Sequence, residues 1–198
     1  GIDHPMRKDV IGATETDWRQ ILDQLTGPVP GDKPVYFQKH MTLHLMDHID
    51  RSWMDNVVNC FLIRDPAEVI ASYAAKRDKV TAADVGFEAQ LEIFRHVEKC
   101  AGKIPVVLDA RDVLKHPDNM LQKLCAAVGV EFDEDMLSWP AGRRDSDGIW
   151  GVHWYGAVEN STGYFYLNHI ACHKINKFHE TSNLEIYLKS HFILAQSN

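Results

Sequence analysis

Arg64 and Ser72 are residues whose types and spacing suggest phosphate chemistry. Arg64 directly follows the apolar segment 57–63, and Ser72 lies eight residues further on. A segment that is apolar at nearly every position is typical of a central strand in a parallel sheet. A helix that starts beyond such a strand carries partial positive charge at its N-terminus, and a guanidinium offers a planar fork of donors to phosphate. The junction is therefore a candidate phosphate site. The alternative is a surface Arg64 paired with Asp65 or Glu68.

A second candidate site is the pair of adjacent arginines Arg143 and Arg144, in a glycine-containing stretch after Trp139 and Pro140. Two guanidinium groups in one loop could close over an anion, and Trp150 could anchor the loop or stack on a base. The alternative is a solvated run of charge followed by one core tryptophan.

The third candidate is Gln38-Lys39-His40, at the carboxyl end of a predicted strand over residues 34–38. A histidine can act as a general base near neutral pH. A lysine can stabilise the charge that develops on a transferred group. His40 and Lys39 are therefore the candidate catalytic residues.

Three histidines in this region allow a metal site to be considered. His40, His44 and His48 would share one helix face if the stretch after the strand is helical, and two of them could then bind Zn²⁺. Asp47 and Asp50 are the nearby carboxylates, and they would face elsewhere on that helix. No complete ligand set results, so no metal is expected.

The elements that would position these residues alternate between strands and helices. This order predicts right-handed βαβ units and an α/β fold, a three-layer parallel sheet with helices on both faces. The predicted strands are 34–38, 57–63 and 104–108; the predicted helices are 16–25 capped by Thr16, a helix from Pro66 through Tyr73, 87–100 ended by Gly102, and a helix opened by Pro117 and ended by Gly129.

Length and composition set the class of the protein. The chain has 198 residues, a net charge of -7, 45% hydrophobic residues and 25% charged residues, as expected for one globular domain. An acidic balance argues against a broad nucleic-acid surface. The longest apolar-leaning run, 57–63, is far shorter than the roughly 20 residues of a membrane span. The N-terminus has no signal-peptide core, which favours a cytoplasmic protein.

Cysteine usage agrees with a reducing compartment. Cys60, Cys100, Cys125 and Cys172 are far apart, and no C-x-x-C motif is present. Cys60 and Cys125 lie in apolar runs, so we expect them to be buried free thiols.

Taken together, the motifs resemble those of the sulfotransferase family, specifically bacterial-type sulfotransferase-like proteins of the P-loop class. Residues 61–73, with Arg64 and Ser72, resemble the family's 3′-phosphate motif. Residues 106–114 are similar to its later strand and acidic turn, and residues 143–150 to its basic glycine loop before a tryptophan. The resemblance covers about two thirds of the chain.

This resemblance implies a donor, 3′-phosphoadenosine 5′-phosphosulfate (PAPS), and a hydroxylated small-molecule acceptor. Arg64 and Ser72 would hold the 3′-phosphate, with Arg143 and Arg144 closing over it. His40 falls where the family places its base, and it would take the proton of the acceptor hydroxyl while the sulfuryl group passes to the oxygen.

The chain also departs from the family pattern. The family's lysine two residues before the histidine is Gln38 here, with Lys39 shifted by one position. No strand with a phosphate loop precedes Thr16. We therefore expect residues 1–163 to form a sulfotransferase-like α/β domain without that N-terminal strand and P-loop. Residues 164–198 are expected to be a divergent, loosely packed appendage.

Three functions remain open at this point. The first is a sulfotransferase that is truncated or inactive in this chain. The second is a noncatalytic α/β module that binds adenosine 3′,5′-bisphosphate or a partner chain. The third is a P-loop phosphotransferase relative that uses ATP, although ATP has no 3′-phosphate for Arg64 and Ser72 to hold.

Overall fold

The computed structural model describes residues 6–74, 79–145, 147–149, 151–164 and 191–197, and it shows an α/β chain. The strands are β1 (Val35–Met41), β2 (Val58–Ile63), β3 (Val106–Asp109) and β4 (His191–Ser197). The α-helices are α1 (Arg7–Ala13), α2 (Trp18–Thr26), α3 (Pro66–Ala74), α4 (Ala82–Val85), α5 (Phe87–Ala101), α6 (Ala110–Lys115), α7 (Pro117–Val128), α8 (Gly151–Trp154) and α9 (Gly156–Glu159). Short 3-10 helices span Pro30–Asp32, Thr42–His44, Ser52–Asn56 and Glu134–Leu137.

The four strands form one mixed sheet in the order β1-β4-β2-β3. β2 and β3 pair in parallel, whereas β4 is antiparallel to both β1 and β2. Because β4 runs opposite to both neighbours, β1 and β2 point in the same direction. The carboxyl ends of β1, β2 and β3 therefore meet at one edge of the sheet, which is where parallel α/β sheets place their ligands.

The prediction of an all-parallel sheet is wrong at β4. The alternation of strands and helices gives parallel neighbours only when a helical crossover returns the chain to the same edge. β4 comes from the far end of the chain and enters the sheet from the opposite direction. The expectation of loose packing therefore fails for 191–197. Three layers with P-loop topology, and the domain division at residue 163, remain predictions.

The core lies on both faces of β2. Phe61 packs in a buried cluster with Trp53, Met54, Ile93 and Val97. Leu62, the next residue, points to the other face. There it belongs to a second buried cluster with Leu108, Ala110 and Val113. Successive strand residues point to opposite faces, which explains why almost every position of this strand is apolar. The observed burial fits the central-strand interpretation of 57–63.

Glycines end the two long helices, as the sequence predicts. Gly102 follows α5 with φ 63° and Gly129 follows α7 with φ 74°, in the left-handed region that side chains with a Cβ avoid. The predicted cap of α2 is one residue off: the side chain of Asp17, not Thr16, accepts the Arg19 N–H at 3.0 Å.

The sequence predicts that the chain has no membrane span and that Cys60 and Cys125 are buried free thiols. Among the described helices, none combines the length and apolar character needed to cross a bilayer. Cys60 and Cys125 are buried free thiols, as expected, and Cys100 is free and exposed. Cys172 lies outside the described residues. Burial raises the pKa of Cys60 to about 11.

Candidate functional site

The carboxyl ends of β1, β2 and β3 form one edge of the sheet, and a polar residue lies at or just beyond the end of each strand. His40 is the next-to-last residue of β1, Arg64 follows β2, and Arg111 lies in the first turn of α6 after β3. The register places His40 and Phe61 level with each other on either side of Phe192. Since adjacent strands lie about 4.8 Å apart, His40 and Phe61 are about 10 Å apart across the sheet. Arg64 lies three residues further along.

Arg64 takes part in an ion-pair network at this edge. Its Nε donates to Oε2 of Glu68 at 3.0 Å, and its side chain is only 7% exposed. Arg111 approaches the other carboxylate oxygen of Glu68 at 2.9 Å and Asp65 at 3.5 Å. The sequence left two interpretations of Arg64 open, a phosphate site and a surface ion pair. The structure shows the ion pair with Glu68. It also shows that the guanidinium of Arg111 contacts the same carboxylate.

Glu68 is the centre of this network, and its charged form is favoured. Burial acts to raise the pKa of Glu68, but the hydrogen bonds and charges of Arg64 and Arg111 outweigh it, so the pKa lies below its ordinary value. Glu68 therefore remains a carboxylate at neutral pH. The two guanidiniums and the two carboxylates of Asp65 and Glu68 balance each other in charge.

The N-terminus of α3 is partly satisfied by the chain itself. Oδ1 of Asp65 accepts the Ala67 N–H at 2.8 Å, and Pro66 has no N–H to offer. The carbonyl of Asp65 also accepts the first intrahelical bond, from Val69 at 3.1 Å. An anion at this junction would therefore rely on side chains more than on the open end of the helix.

Ser72 is a buried polar residue of α3. The residue is 8% exposed on α3, and among the described residues its Oγ has no hydrogen-bond partner. Buried hydroxyl groups almost always have a partner in native structures. Ser72 lies two turns along the helix that starts after Arg64. Nε1 of Trp53 and Oδ1 of Asn59 are two further buried side-chain atoms without a described hydrogen-bond partner.

His40 has an assigned hydrogen-bond partner that fixes its tautomer. Gln38 is 5% exposed, and its Nε2 donates to the carbonyl of Leu25 at 2.7 Å. The amide oxygen of Gln38 must then be the atom that lies 3.1 Å from Nε2 of His40. An amide oxygen only accepts. His40 therefore donates from Nε2, and the lone pair of the neutral ring is on Nδ1.

The surroundings of His40 keep the ring neutral. Burial, and then the charge of His44, lowers the pKa of His40 to about 4. The ring lies 5.8 Å from the ring of Trp53, measured between centroids. Burial of the amine also lowers the pKa of Lys39 to about 8. The Lys39 residue as a whole is nevertheless exposed, so this shift implies no large effect on stability.

The stretch after β1 is not the helix that a shared face of the three histidines requires. His40 ends a strand, His44 ends the 3-10 helix Thr42–His44, and His48 lies in a turn. The three histidines therefore do not share a helix face, which removes the geometric basis for a zinc site among them. The chain leaves the strand through Thr42, whose buried Oγ1 donates to the Gly86 carbonyl at 3.3 Å.

Arg143 and Arg144 lie in an exposed loop. The carboxylate of Asp147 accepts the Arg144 N–H at 2.9 Å, which closes a turn, and the Gly142 N–H donates to the Glu159 carbonyl. Neither guanidinium makes an ion pair with another described residue. Trp150, the predicted anchor, lies outside the described residues. No described contact joins this loop to Arg64, so its closure over an anion stays a prediction.

Two participants were missed by sequence reasoning. Arg111 lies inside the motif 106–114, but only the pairing of β2 with β3 shows that it reaches Glu68. Gln38 was noted as a departure from the family pattern, and the sequence gives no sign that it binds both Leu25 and His40. Both residues are recognised only through contacts with distant parts of the chain, Arg111 with Glu68 and Gln38 with Leu25.

Comparison with known proteins adds independent information. The family model described as Sulfotransferase domain matches residues 1–171. The chain is also similar to the branched-chain-amino-acid aminotransferase-like proteins 2 and 1 of Arabidopsis thaliana, with 27% identity over 165 residues in each case. These alignments cover 83% of this chain and 29% of each relative.

The chain thus spans less than a third of the length of these curated relatives, and the names of the whole relatives say nothing about the shared part. No solved structure gives a significant match. The family model covers most of the chain and includes His40, Arg64 and Arg111. The chain therefore belongs to the sulfotransferase-domain family.

Proposed function

We propose that this chain is a sulfotransferase-like domain of the kind that serves sulfuryl transfer from PAPS to the hydroxyl group of a small molecule, and that the 198-residue chain alone is inactive in that transfer. We also propose that the junction of β2 and α3 holds the 3′-phosphate of the nucleotide. The observation that carries the proposal is the buried, unpartnered Oγ of Ser72. Leaving such a group unsatisfied costs about 1–3 kcal/mol. A phosphate oxygen that accepts from Ser72 would offset this cost when the nucleotide binds.

A phosphate at this junction would need positive charge beyond that of Arg64 and Arg111. Arg64 and Arg111 are already matched by Asp65 and Glu68. The bond to Glu68 uses Nε of Arg64, one of the five N–H donors of a guanidinium. Further positive charge would come from Arg143 and Arg144, whose exposed loop can move without breaking a described ion pair.

The catalytic role falls to His40 and Lys39. At neutral pH the His40 ring is neutral, because its pKa is held near 4, and its Nδ1 lone pair can accept the proton of the acceptor hydroxyl. The acceptor oxygen then forms a bond to sulfur as the bond between sulfur and the bridging phosphate oxygen breaks. Adenosine 3′,5′-bisphosphate leaves with the bond's electron pair, and Lys39 stabilises the charge that develops on the transferred group.

A second candidate function is a noncatalytic module that binds adenosine 3′,5′-bisphosphate. Two observations favour it. A base with a pKa near 4 is weaker than the value near the working pH that suits general-base catalysis. In addition, the junctions that follow β1, β2 and β3 contain no glycine-rich loop that could surround a 5′-phosphosulfate.

Calorimetry with three nucleotides tests the proposed site. Adenosine 3′,5′-bisphosphate should bind, while adenosine 5′-monophosphate and ATP, which lack the 3′-phosphate, should bind at least tenfold more weakly. Arg64→Gln should reduce bisphosphate affinity to that of the monophosphate. Arg95→Gln, an exposed arginine on α5, is the matched control and should change nothing. Equal affinity for all three nucleotides would overturn the assignment of the junction to a 3′-phosphate.

A further inference from the structure

A cluster of metal-binding side chains lies outside the residues that the proposed function uses. Asp55, His96 and Cys100 each offer one ligand atom, and these atoms all lie within 4.8 Å of one another. In the described part of the chain, no other group of three His, Cys, Asp or Glu side chains meets this condition. The cluster joins two elements, because Asp55 belongs to the 3-10 helix Ser52–Asn56 and the other two residues to α5.

The spacing within the cluster fits a tetrahedral ion. His96 and Cys100 are four residues apart and lie on one face of α5, one above the other. Nε2 of His96 lies 3.8 Å from Sγ of Cys100. In a tetrahedral zinc site, with Zn–N near 2.0 Å and Zn–S near 2.3 Å, these two atoms would be about 3.6 Å apart. The exposed Asp55 carboxylate completes the group, with its ligand atom within 4.8 Å of the other two.

The backbones that carry the ligands are held firmly in place. Trp53 and Met54, next to Asp55, are buried against Ile93 and Val97, which flank His96 in sequence. An ion pair of 2.8 Å joins Arg51, the residue before this 3-10 helix, to Glu92 of α5. Asn59 donates to the carbonyl of Met54 at 2.8 Å. Ligands on such elements lose little freedom when a metal binds, and preorganisation of this kind raises affinity.

The types of ligand select the metal. A thiolate, an imidazole and a carboxylate are the three ligand types that Zn²⁺ takes in proteins. The two anionic ligands would neutralise the charge of the ion. Asp50 adds negative potential nearby: its pKa is lowered mainly by hydrogen bonds from Ser52, with a smaller contribution from the charge of His96. Exposure of Asp55 and Cys100 leaves the fourth position to water.

We propose that Asp55, His96 and Cys100 bind one Zn²⁺ ion that ties the 3-10 helix Ser52–Asn56 to α5. Binding of the ion does not depend on the nucleotide site. Trp53 lies two residues before the ligand Asp55, and its ring is 5.8 Å from the ring of His40, measured between centroids. The ion would thus stabilise the segment that supports the candidate base, and ligand binding to the native state alone raises the unfolding temperature.

Cobalt substitution in the full chain tests the ligand set. Co²⁺ should give a thiolate charge-transfer band and the visible bands of a tetrahedral ion. Cys100→Ser should abolish the charge-transfer band, and His96→Gln and Asp55→Asn should weaken binding at least tenfold. His116→Gln, an exposed histidine away from the cluster, should leave the spectrum unchanged. A thiolate band that persists in Cys100→Ser, or no band in the unmodified chain, would overturn the proposal.

Alkylation provides a second readout that needs no spectrum. Zn²⁺ should slow the reaction of Cys100 with N-ethylmaleimide at least tenfold, as read by peptide mass spectrometry. The protection should vanish in His96→Gln. Cys60 and Cys125 are buried, so they serve as internal references whose rates should stay low throughout. Equal alkylation rates at Cys100 with and without Zn²⁺ would contradict the site. Thermal unfolding gives a further check, because Zn²⁺ should raise the unfolding temperature of the unmodified chain more than that of Cys100→Ser. An equal rise in both proteins would also contradict the site.

Discussion

The side-chain oxygen of Gln38 lies 3.1 Å from Nε2 of His40, and the other end of the same amide is held by the carbonyl of Leu25. A buried amide thus connects the end of α2 to the candidate base. In the family pattern that the motifs resemble, a lysine takes the place of Gln38. The exchange replaces a positive charge beside the histidine with a neutral acceptor, and this acceptor orients the ring with Nδ1 as the proton-accepting atom.

The low pKa of His40 predicts acid sensitivity. The folded pKa, about 4, lies below the ordinary 6.5, so the unfolded chain binds more protons between these values. Stability is therefore full above pH 6.5 and falls as pH drops toward 4. From pH 7 to pH 5 the loss due to His40 should reach about 2 kcal/mol at most. Urea unfolding of His40→Gln should show a shallower fall.

The exposed His116→Gln variant is the control for this experiment and should reproduce the parent's pH dependence. Nitrogen chemical shifts of the His40 ring would report the tautomer directly. A His40 that titrates near pH 6.5, or one protonated on Nδ1 in its neutral form, would show that the Gln38 contact does not govern the ring.

Ser72→Ala should separate a binding role from a structural one. Removing a buried hydroxyl without a partner leaves no group unsatisfied, so stability should stay unchanged or rise by up to about 1 kcal/mol. Affinity for adenosine 3′,5′-bisphosphate should nevertheless fall about tenfold, since the lost bond is one to a charged group. Urea unfolding and calorimetry measure the two effects on the same preparation.

Ser161 provides a matched buried serine for comparison. It is 7% exposed, and its Oγ accepts from Nε1 of Trp139 at 3.0 Å and donates to the carbonyl of Val158 at 2.8 Å. Ser161→Ala should therefore destabilise the chain by about 1–2 kcal/mol. A loss of similar size in Ser72→Ala would mean that Ser72 has a structural partner, and the ligand argument would then fail.

Glu68→Gln tests the ion-pair network at the strand edge. The change removes the negative charge between Arg64 and Arg111, of which Arg64 is nearly buried. We expect a loss of stability of about 1–2 kcal/mol, because charge-assisted bonds to both guanidiniums become weaker. Chemical denaturation at neutral pH measures it. Glu98→Gln, a carboxylate on α5 with no described ion pair, should cost less than about 0.5 kcal/mol; equal losses would indicate that the network adds nothing.

The local parts of this fold could be predicted from sequence. The almost entirely apolar sequence of β2, the proline that opens α3 and the glycines that end α5 and α7 are signals carried by neighbouring residues. They place Arg64 after a buried strand and Ser72 inside the following helix. Such signals depend on backbone sterics and on burial of one segment, so they need no knowledge of distant contacts.

The remaining features depend on distant contacts, which sequence patterns do not show. β4 lies between β1 and β2 although more than 120 residues separate it from β2. The stretch after β1 has helical spacing of its histidines, yet β1 continues to Met41 and only a short 3-10 helix follows. Burial of Thr42 at 0% exposure ties that turn to the start of α5, and this tertiary contact outweighs local periodicity.

The last prediction concerns activity of the 198-residue chain itself. We expect weak binding of adenosine 3′,5′-bisphosphate and no transfer of a sulfuryl group. Arg64, Ser72 and the loop with Arg143 would hold the 3′-phosphate end. The 5′ end, where the chemistry occurs, would lack a ring of backbone N–H donors, because the junctions after β1, β2 and β3 contain no glycine-rich loop. Each such preorganised donor contributes about 3–4 kcal/mol to transition-state stabilisation.

The loss of several donors lowers the rate by many orders of magnitude, and a base with a pKa near 4 recovers little of it. A radiolabelled PAPS assay with a panel of phenols and alcohols measures the transfer, and His40→Gln gives the background. Turnover of the parent chain above that variant would refute the prediction. It would also mean that residues outside those described at the strand edge build the site for the 5′-phosphosulfate, and the noncatalytic alternative would then be excluded.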